Sequence, residues 1–232
     1  MIDHLKLTVL GAALTAFTSL TAHATTITWE TPVDITATTD IYTDGTTVYA
    51  RNLGIQTLVI NGIDFGLNES YDLGFAESGF SSSTFNSEIT LAEAGGTGNE
   101  DYQSLLAKSR GGGTSPRLRL GSIAAGATDD LTIGQDYLLQ VWVADFRNFN
   151  LNRSQTLSGD GGTTQSPAMS YLSGPSGSGQ YIIGRFTADA ITLDIDFTSS
   201  PVANVTYTAF QLVAVPEPSS VALLGLGGLA LG

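Results

Sequence analysis

Ala190-Ile-Thr-Leu-Asp-Ile-Asp-Phe197 and Gln135-Asp-Tyr-Leu-Leu-Gln-Val-Trp-Val-Ala-Asp-Phe146 decide the fold class. In the first, Ile191, Leu193, Ile195 and Phe197 alternate with Thr192, Asp194 and Asp196, the period-two signature of a strand with one buried and one wet face. In the second, Tyr137, Leu139, Val141 and Val143 line one side, and Leu138, Trp142, Ala144 and Phe146 the other. Apolar cover on both faces predicts a central strand and assigns Trp142 to the core. Outward from these, the same period predicts strands near Thr26–Trp29, Thr46–Asn52, Gln56–Ile60, Glu88–Ala92, Arg117–Leu120, Tyr181–Thr187 and Val205–Val213. Turn residues separate them. One helical pattern, Glu100–Ser109, places Tyr102, Leu105 and Leu106 on one face. Gly111–Gly113 is expected to stop it, and the helix to pack over one end of the sheets. The expectation is all-β: a single antiparallel sandwich, jelly-roll-like, with one short helix. Two Gly/Ser-rich stretches, Ser158–Ser166 and Ser173–Gln180, read as mobile loops.

Both termini read as transport labels. Met1–Lys6 is a short polar start, Leu7–Leu20 is uncharged and largely apolar, and Ala22 and Ala24 offer the small residues a signal peptidase needs. The chain is therefore read as a signal peptide over 1–24, a β-sandwich over 25–214 and a tail over 215–232, with signal peptidase as a partner. The tail carries Pro216, Glu217 and Pro218, then Ser219, Ser220 and the apolar run Val221–Gly232. It resembles the PEP-CTERM sorting signal, in which a Pro-Glu-Pro motif precedes a membrane helix and a basic cluster. The resemblance implies an exosortase-type processing enzyme as partner and transient anchoring in the inner membrane. The apolar run is short for a span: about 18 Å of helix against a hydrocarbon core of about 30 Å. No basic residue follows Gly232, so the expectation is either a truncated end or a partial match.

Removing the leader takes away His4 and His23, both of the chain's histidines, and there is no cysteine. Without them, Ser-His-Asp and Cys-His catalysis, imidazole or thiolate zinc sites and disulfides fall away. Lys108 is the only lysine left. The formal net charge of −13 argues against nucleic acid as a partner. Arg117 and Arg119 share a strand face but read as solvated surface.

The segments Leu131–Arg147 and Tyr181–Asp189, with Tyr102–Leu106, look like paired strands of jelly-roll modules in bacterial surface proteins. They are similar to a module that accompanies this sorting tail. Galactose-binding-like jelly rolls hold sugars on the same architecture. Asp145 and Arg147 leave the central strand with Asn148, Asn150 and Asn152 just beyond. The functional reading is a polar rim of Asp145, Arg147 and Asn148, with Tyr171 and Tyr181 as stacking surfaces, binding an extracellular glycan. The alternative is that Asp145 and Arg147 pair with each other or cap nearby backbone.

No catalytic or metal-ligating residue is assigned. Calcium is the one cofactor with a physical case, through oxygen ligands in an acidic exported chain. Yet Asn148-x-Asn150-x-Asn152 lacks a calcium loop's carboxylates, and Asp194 with Asp196, like Asp129-Asp130, reads as solvated. Three functions stay open. The first is an exported, non-catalytic surface or matrix protein binding exopolysaccharide. The second is a carboxylate-only glycan hydrolase using Asp64, Glu69, Asp72 or Glu77. The third is an adhesin or assembly subunit pairing edge strands.

Overall fold

The computed structural model describes residues 25–52, 57–67, 75–86, 100–106, 108–121, 130–144, 153–159, 164–171, 179–200 and 205–216. The expected central strand is β8, Asp136–Val143, every residue of it after Asp136 buried. It lies between β11 (Gln180–Thr187) and β14 (Ala209–Ala214), antiparallel to both. This first sheet continues on one side through β3 (Thr46–Asn52) and β5 (Ile63–Leu67) to the edge strand β4 (Leu58–Ile60). On the other side β11 pairs with two short strands, β1 (Thr28–Trp29) and β2 (Val33–Asp34). One pairing departs from the antiparallel expectation: β3 and β5 run parallel. Asn61 and Gly62, with φ of 52° and 79°, make the tight turn that folds β5 back between β3 and β4.

The second sheet contains β10 (Met169–Ser170), β9 (Ser154–Gly159), β12 (Leu193–Ser200), β7 (Lys108–Leu120) and β13 (Val205–Tyr207) in that order, with β6 (Phe75–Asn86) also on β7. The alternation holds within β12, where Leu193, Ile195 and Phe197 are buried between the sheets, but Ile191, expected on the same face, lies before the strand begins and is exposed. Their partners across the gap are one face of β8, through Leu139, Val141 and Val143.

The outer face of β12 carries Asp194 and Asp196 opposite Arg119 and Arg117 of β7. Arg117 donates from Nε to Asp196 at 2.7 Å and from Nη1 to Asp194 at 3.0 Å, and Arg119 donates to both oxygens of Asp194. The arginines expected as plain solvated surface are thus cross-strand partners of the acids. Hydrogen bonding from Arg119 is the main cause that holds the Asp194 carboxyl below its ordinary range. Because its folded value is depressed, the pairing stabilises above the unfolded carboxyl range. That stabilisation is lost as the pH falls through the lower folded value. Asp194→Asn is expected to cost about 1 kcal/mol or less at neutral pH, since the arginines are exposed. The difference from the parent in denaturant titrations should vanish in strong acid; an undiminished difference there would refute the charge-pair account.

Behind the first sheet lies a third, partial layer. Trp142, Ala50, Leu58, Ile60, Phe65 and Ala209 point away from the second sheet into a separate cluster. It is closed by α1 (Glu100–Leu106) and by Ile35 and Ile41. The helix therefore covers an outer sheet face, not an end of the sandwich, and it stops at Leu106. Gly111–Gly113 lie inside β7, where Gly111 and Gly112 pair with Thr206 and Val205, so they do not terminate the helix. The single strand expected over Val205–Val213 is two strands, β13 in the second sheet and β14 in the first. The chain crosses at Thr208, whose N–H and hydroxyl both donate to the carbonyl of Trp142.

Of the stretches read as loops, Ser158 and Gly159 belong to β9 and Ser158 bridges to Gln165. Gly179, at φ 85°, leads into β11, and a side chain there would put its Cβ 2.3 Å from the Val143 carbonyl oxygen. The expected strand Glu88–Ala92 lies outside the described residues. So do the signal segment with Ala22 and Ala24 and the tail beyond Pro216, including Glu217 and Pro218. Among the described residues no helix is long and apolar enough to cross a membrane.

Candidate functional site

The third layer covers only part of the first sheet's outer face. Toward β11 that layer thins out among the described residues and leaves Arg185 and Thr187 exposed, and strand alternation brings Tyr181 and Ile183 onto the same face, because Ile182 and Phe186 turn into the inter-sheet core. Tyr181 is half-buried, its ring centroid 6.4 Å from that of Trp142. Burial raises its hydroxyl pKa, with the carboxylates of Asp40 and then Glu30 adding to the effect. Four residues along, Arg185 donates from Nε to Glu30 at 2.8 Å. Its guanidinium carbon lies 5.7 Å from the centre of the Tyr42 ring. Both partners of the Arg185–Glu30 pair are 44% exposed, so the pair orients the guanidinium and adds little stability. At about 3.3 Å per residue, Tyr181 and Arg185 are about 13 Å apart along β11.

Tyr42 belongs to no strand, and two glutamines from the sheet hold it in place. Gln140 of β8 and Gln211 of β14, adjacent in register, are both fully buried. Gln140 accepts the Tyr42 N–H at 3.0 Å through Oε1 and donates to the Asp40 carbonyl at 2.7 Å. Gln211 donates to the Tyr42 carbonyl and to Gln140 Oε1, both at 2.9 Å. The amides thus satisfy backbone groups that burial would otherwise leave unpaired. Below this, Asp40 accepts N–H groups of Thr36 and Ala37 at 2.6 and 2.9 Å, closing the 3-10 turn Thr38–Asp40. Trp142 Nε1 donates to the Tyr102 hydroxyl at 3.3 Å, and that hydroxyl donates to Asp40 at 3.5 Å. Burial of Tyr102 pushes its hydroxyl pKa far up, so it stays a neutral donor.

On the other side of Arg185 the face dips into a groove of about 300 Å³ lined by Thr28, Asp136, Thr187 and Val215 among others. The Thr187 hydroxyl donates to the Asp136 carboxylate. Val215, one residue past β14, is fixed at the rim: its N–H donates to the Asp136 carbonyl at 2.9 Å, and its carbonyl accepts from Gln135 Nε2 at 2.7 Å. The whole strip offers two phenol rings, a guanidinium, carboxylates and hydroxyls, a set suited to hydrogen bonding and ring contact rather than to covalent chemistry.

Of the residues singled out in sequence, Tyr181 stands on this strip. Tyr171 does not. It is 1% exposed between the two sheets, its hydroxyl donates to Gln155 at 2.6 Å, and the Arg153 guanidinium lies over its ring at 4.9 Å. The two tyrosines sit on opposite faces of the first sheet, so they form no joint stacking surface. Asp145, Arg147 and Asn148, with Asn150 and Asn152, lie outside the described residues, and Pro216 is exposed just past Val215. Sequence reading missed Tyr42, Arg185, Glu30, Gln140 and Gln211. The usable signal was the pair of glutamines inside otherwise apolar strands, where only a backbone partner justifies them.

A second groove, of about 400 Å³, is lined by Arg51, Asp64 and Thr57 among others. It holds one of the acids considered for hydrolysis. Glu69 and Asp72 lie outside the described residues, as does the side chain of Glu77. Among the described residues no group of three or more acidic side chains is placed to hold a metal ion.

No protein-family model matches the chain, and no curated protein matches it in sequence. Among solved structures it is similar to a carbohydrate binding module of Cellvibrio mixtus lichenase 5A in complex with cellotriose, with 15% identity and a TM-score of 0.33 over 70% of this chain and 99% of that one. It is also similar to the CBM22-1 xylan-binding domain of Paenibacillus barcinonensis Xyn10C, with 10% identity and a TM-score of 0.38 over 76% of this chain and 99% of that one.

Proposed function

We propose that the protein is an exported, non-catalytic surface or extracellular-matrix module that binds a glycan along the open outer face of its first sheet. The observation that carries this reading is the strip itself. Tyr42 and Tyr181 present ring surface beside Arg185, Glu30, Asp136 and Thr187, and buried glutamines hold Tyr42 in position before any ligand arrives. Sugars present alternating C–H faces and hydroxyl edges, and a pre-positioned mix of rings and charged hydrogen-bonding groups meets both. The absence of histidine and cysteine from the body supports a non-catalytic role. Export rests on the leader and on the Pro216-Glu217-Pro218 motif, which implies processing at the tail and anchoring only through it.

The test uses the full chain produced in an exporting bacterial host. Protein collected outside the cytoplasm is expected to begin at Thr25 and to be retained by at least one polysaccharide in affinity electrophoresis. Tyr181→Ala should weaken that retention about tenfold, in line with loss of an aromatic contact, while Tyr181→Phe keeps most of it. Retention inside the cell would defeat the export claim, and equal retention of the Tyr181→Ala protein would defeat the assignment of the strip.

A further inference from the structure

We infer that this strip selects glycans bearing free amines over glycans bearing carboxylates or sulfates. The inference rests on the glycan-binding reading above and names the ligand's charge class. Among the described residues, the carboxylates of Glu30 and Asp136 lie on the strip and that of Asp40 lies beneath Tyr42, close enough to act on Tyr181, against the guanidinium of Arg185. That guanidinium is already engaged by Glu30 on its Nε side and by the Tyr42 ring. An anionic sugar would therefore have to compete with Glu30 for it while approaching Asp40 and Asp136. Burial is the main cause that raises the Tyr181 hydroxyl pKa, and Asp40 and then Glu30 add to the rise from the same negative field at the other end of the strip. The chain as a whole, at a formal −13, does nothing to reverse it.

An ammonium group entering here meets carboxylates beside two phenol rings; Arg185 already lies over the Tyr42 ring and Tyr181 rests against Trp142, so the attraction is chiefly one of charge. In a water-exposed groove, one carboxylate at contact distance is expected to favour an ammonium by about fivefold to tenfold at low salt, and to disfavour a second carboxylate by as much. Asp40 lies beneath Tyr42 and is committed to the backbone of Thr36 and Ala37, whereas Glu30 and Asp136, which accept from Arg185 and Thr187, lie on the strip itself and carry most of the discrimination.

The experiment titrates the full chain with three tetrasaccharides: β-1,4-linked glucosamine, its N-acetylated counterpart, and galacturonic acid. The glucosamine tetramer is expected to bind about tenfold tighter than the acetylated one at roughly 20 mM salt, the advantage shrinking to about twofold near 0.5 M, and the uronate tetramer weakest. Glu30→Gln should remove most of this preference. Asp64→Asn, which changes net charge equally at the other groove, should leave it intact. Equal binding of the amine and acetylated tetramers, or tightest binding of the uronate, overturns the charge-class inference while leaving glycan recognition standing. An equal loss in both variants also overturns it, because the attraction would then be general to an acidic protein. Absence of binding to all three overturns the inference alone if a polysaccharide still retains the protein in affinity electrophoresis, and absence of retention there as well defeats the glycan reading with it.

Discussion

Trp142→Ala lowers the stability of the protein by about 3–5 kcal/mol, a large share of the 5–15 kcal/mol that holds a typical domain folded. Trp142 is fully buried and packs edge-on against Phe65 at 5.8 Å. Its indole N–H supplies the donor that orients the Tyr102 hydroxyl. Truncation leaves a cavity where the helix, β5 and the sheet meet, and it strips a buried hydroxyl of a donor. It also removes the ring against which Tyr181 rests. Denaturant titration reads the loss directly. A shift under about 1 kcal/mol would mean that the outer cluster is a loose cover and not a second core.

Gln140→Leu is the second large effect, expected at about 2–4 kcal/mol together with near-complete loss of glycan retention. The substitution removes the acceptor for the Tyr42 N–H, the donor to the Asp40 carbonyl and the partner of the Gln211 amide at once. Each buried group left unpaired costs about 1–3 kcal/mol, reduced here because the turn can swing outward to water. Gln140 touches no ligand in this account and acts by positioning Tyr42. Hydrogen exchange supplies a readout that separates positioning from general damage. The Tyr42 amide should lose protection while the amides of β8 and β11 keep theirs. Uniform loss across the sheet would assign Gln140 a purely structural role. Gln211→Leu should do less, since Gln140 still holds the Tyr42 N–H.

How much of this was legible in the sequence depends on range. Local alternation located β8, β11 and β12 to within a few residues, because the period of side-chain direction is a property of the strand itself. The strand switch at Thr208 was also written there, though it was read as one continuous strand. Val205 and Tyr207 fall on odd positions, Phe210 and Leu212 on even ones, and all four enter the same core. A chain that crosses from one sheet to the other changes parity in that way, as does a β-bulge within one strand. Similarly, Asn61-Gly62 between Ile60 and Ile63 is a two-residue hairpin signal that places β5. By contrast, the pairing of Arg117 and Arg119 with Asp194 and Asp196 joins segments some eighty residues apart. Nothing local marks it. The strip behaves the same way: Glu30, Tyr42 and Arg185 converge only because β1 pairs with β11 and because two glutamines hold the 40–42 backbone. Tyr171 and Tyr181 looked equivalent as aromatic residues near Gly/Ser-rich segments. Position in the fold, not composition, sent one ring inward, at the turn after β10, and the other outward, on β11.

The backbone ties at Val215 set how the protein bears a pull. β14 is a middle strand, laddered to β8 on one side and β3 on the other over its whole length from Ala209 to Ala214. Val215 is fastened one residue beyond by both its N–H and its carbonyl. Tension transmitted from the C-terminal direction therefore runs along the strand axis and loads both ladders in shear, so that many bonds must fail together and none can be unzipped singly. A module tethered by this end would hold its shape under drag that would peel a strand fastened at the sheet's margin.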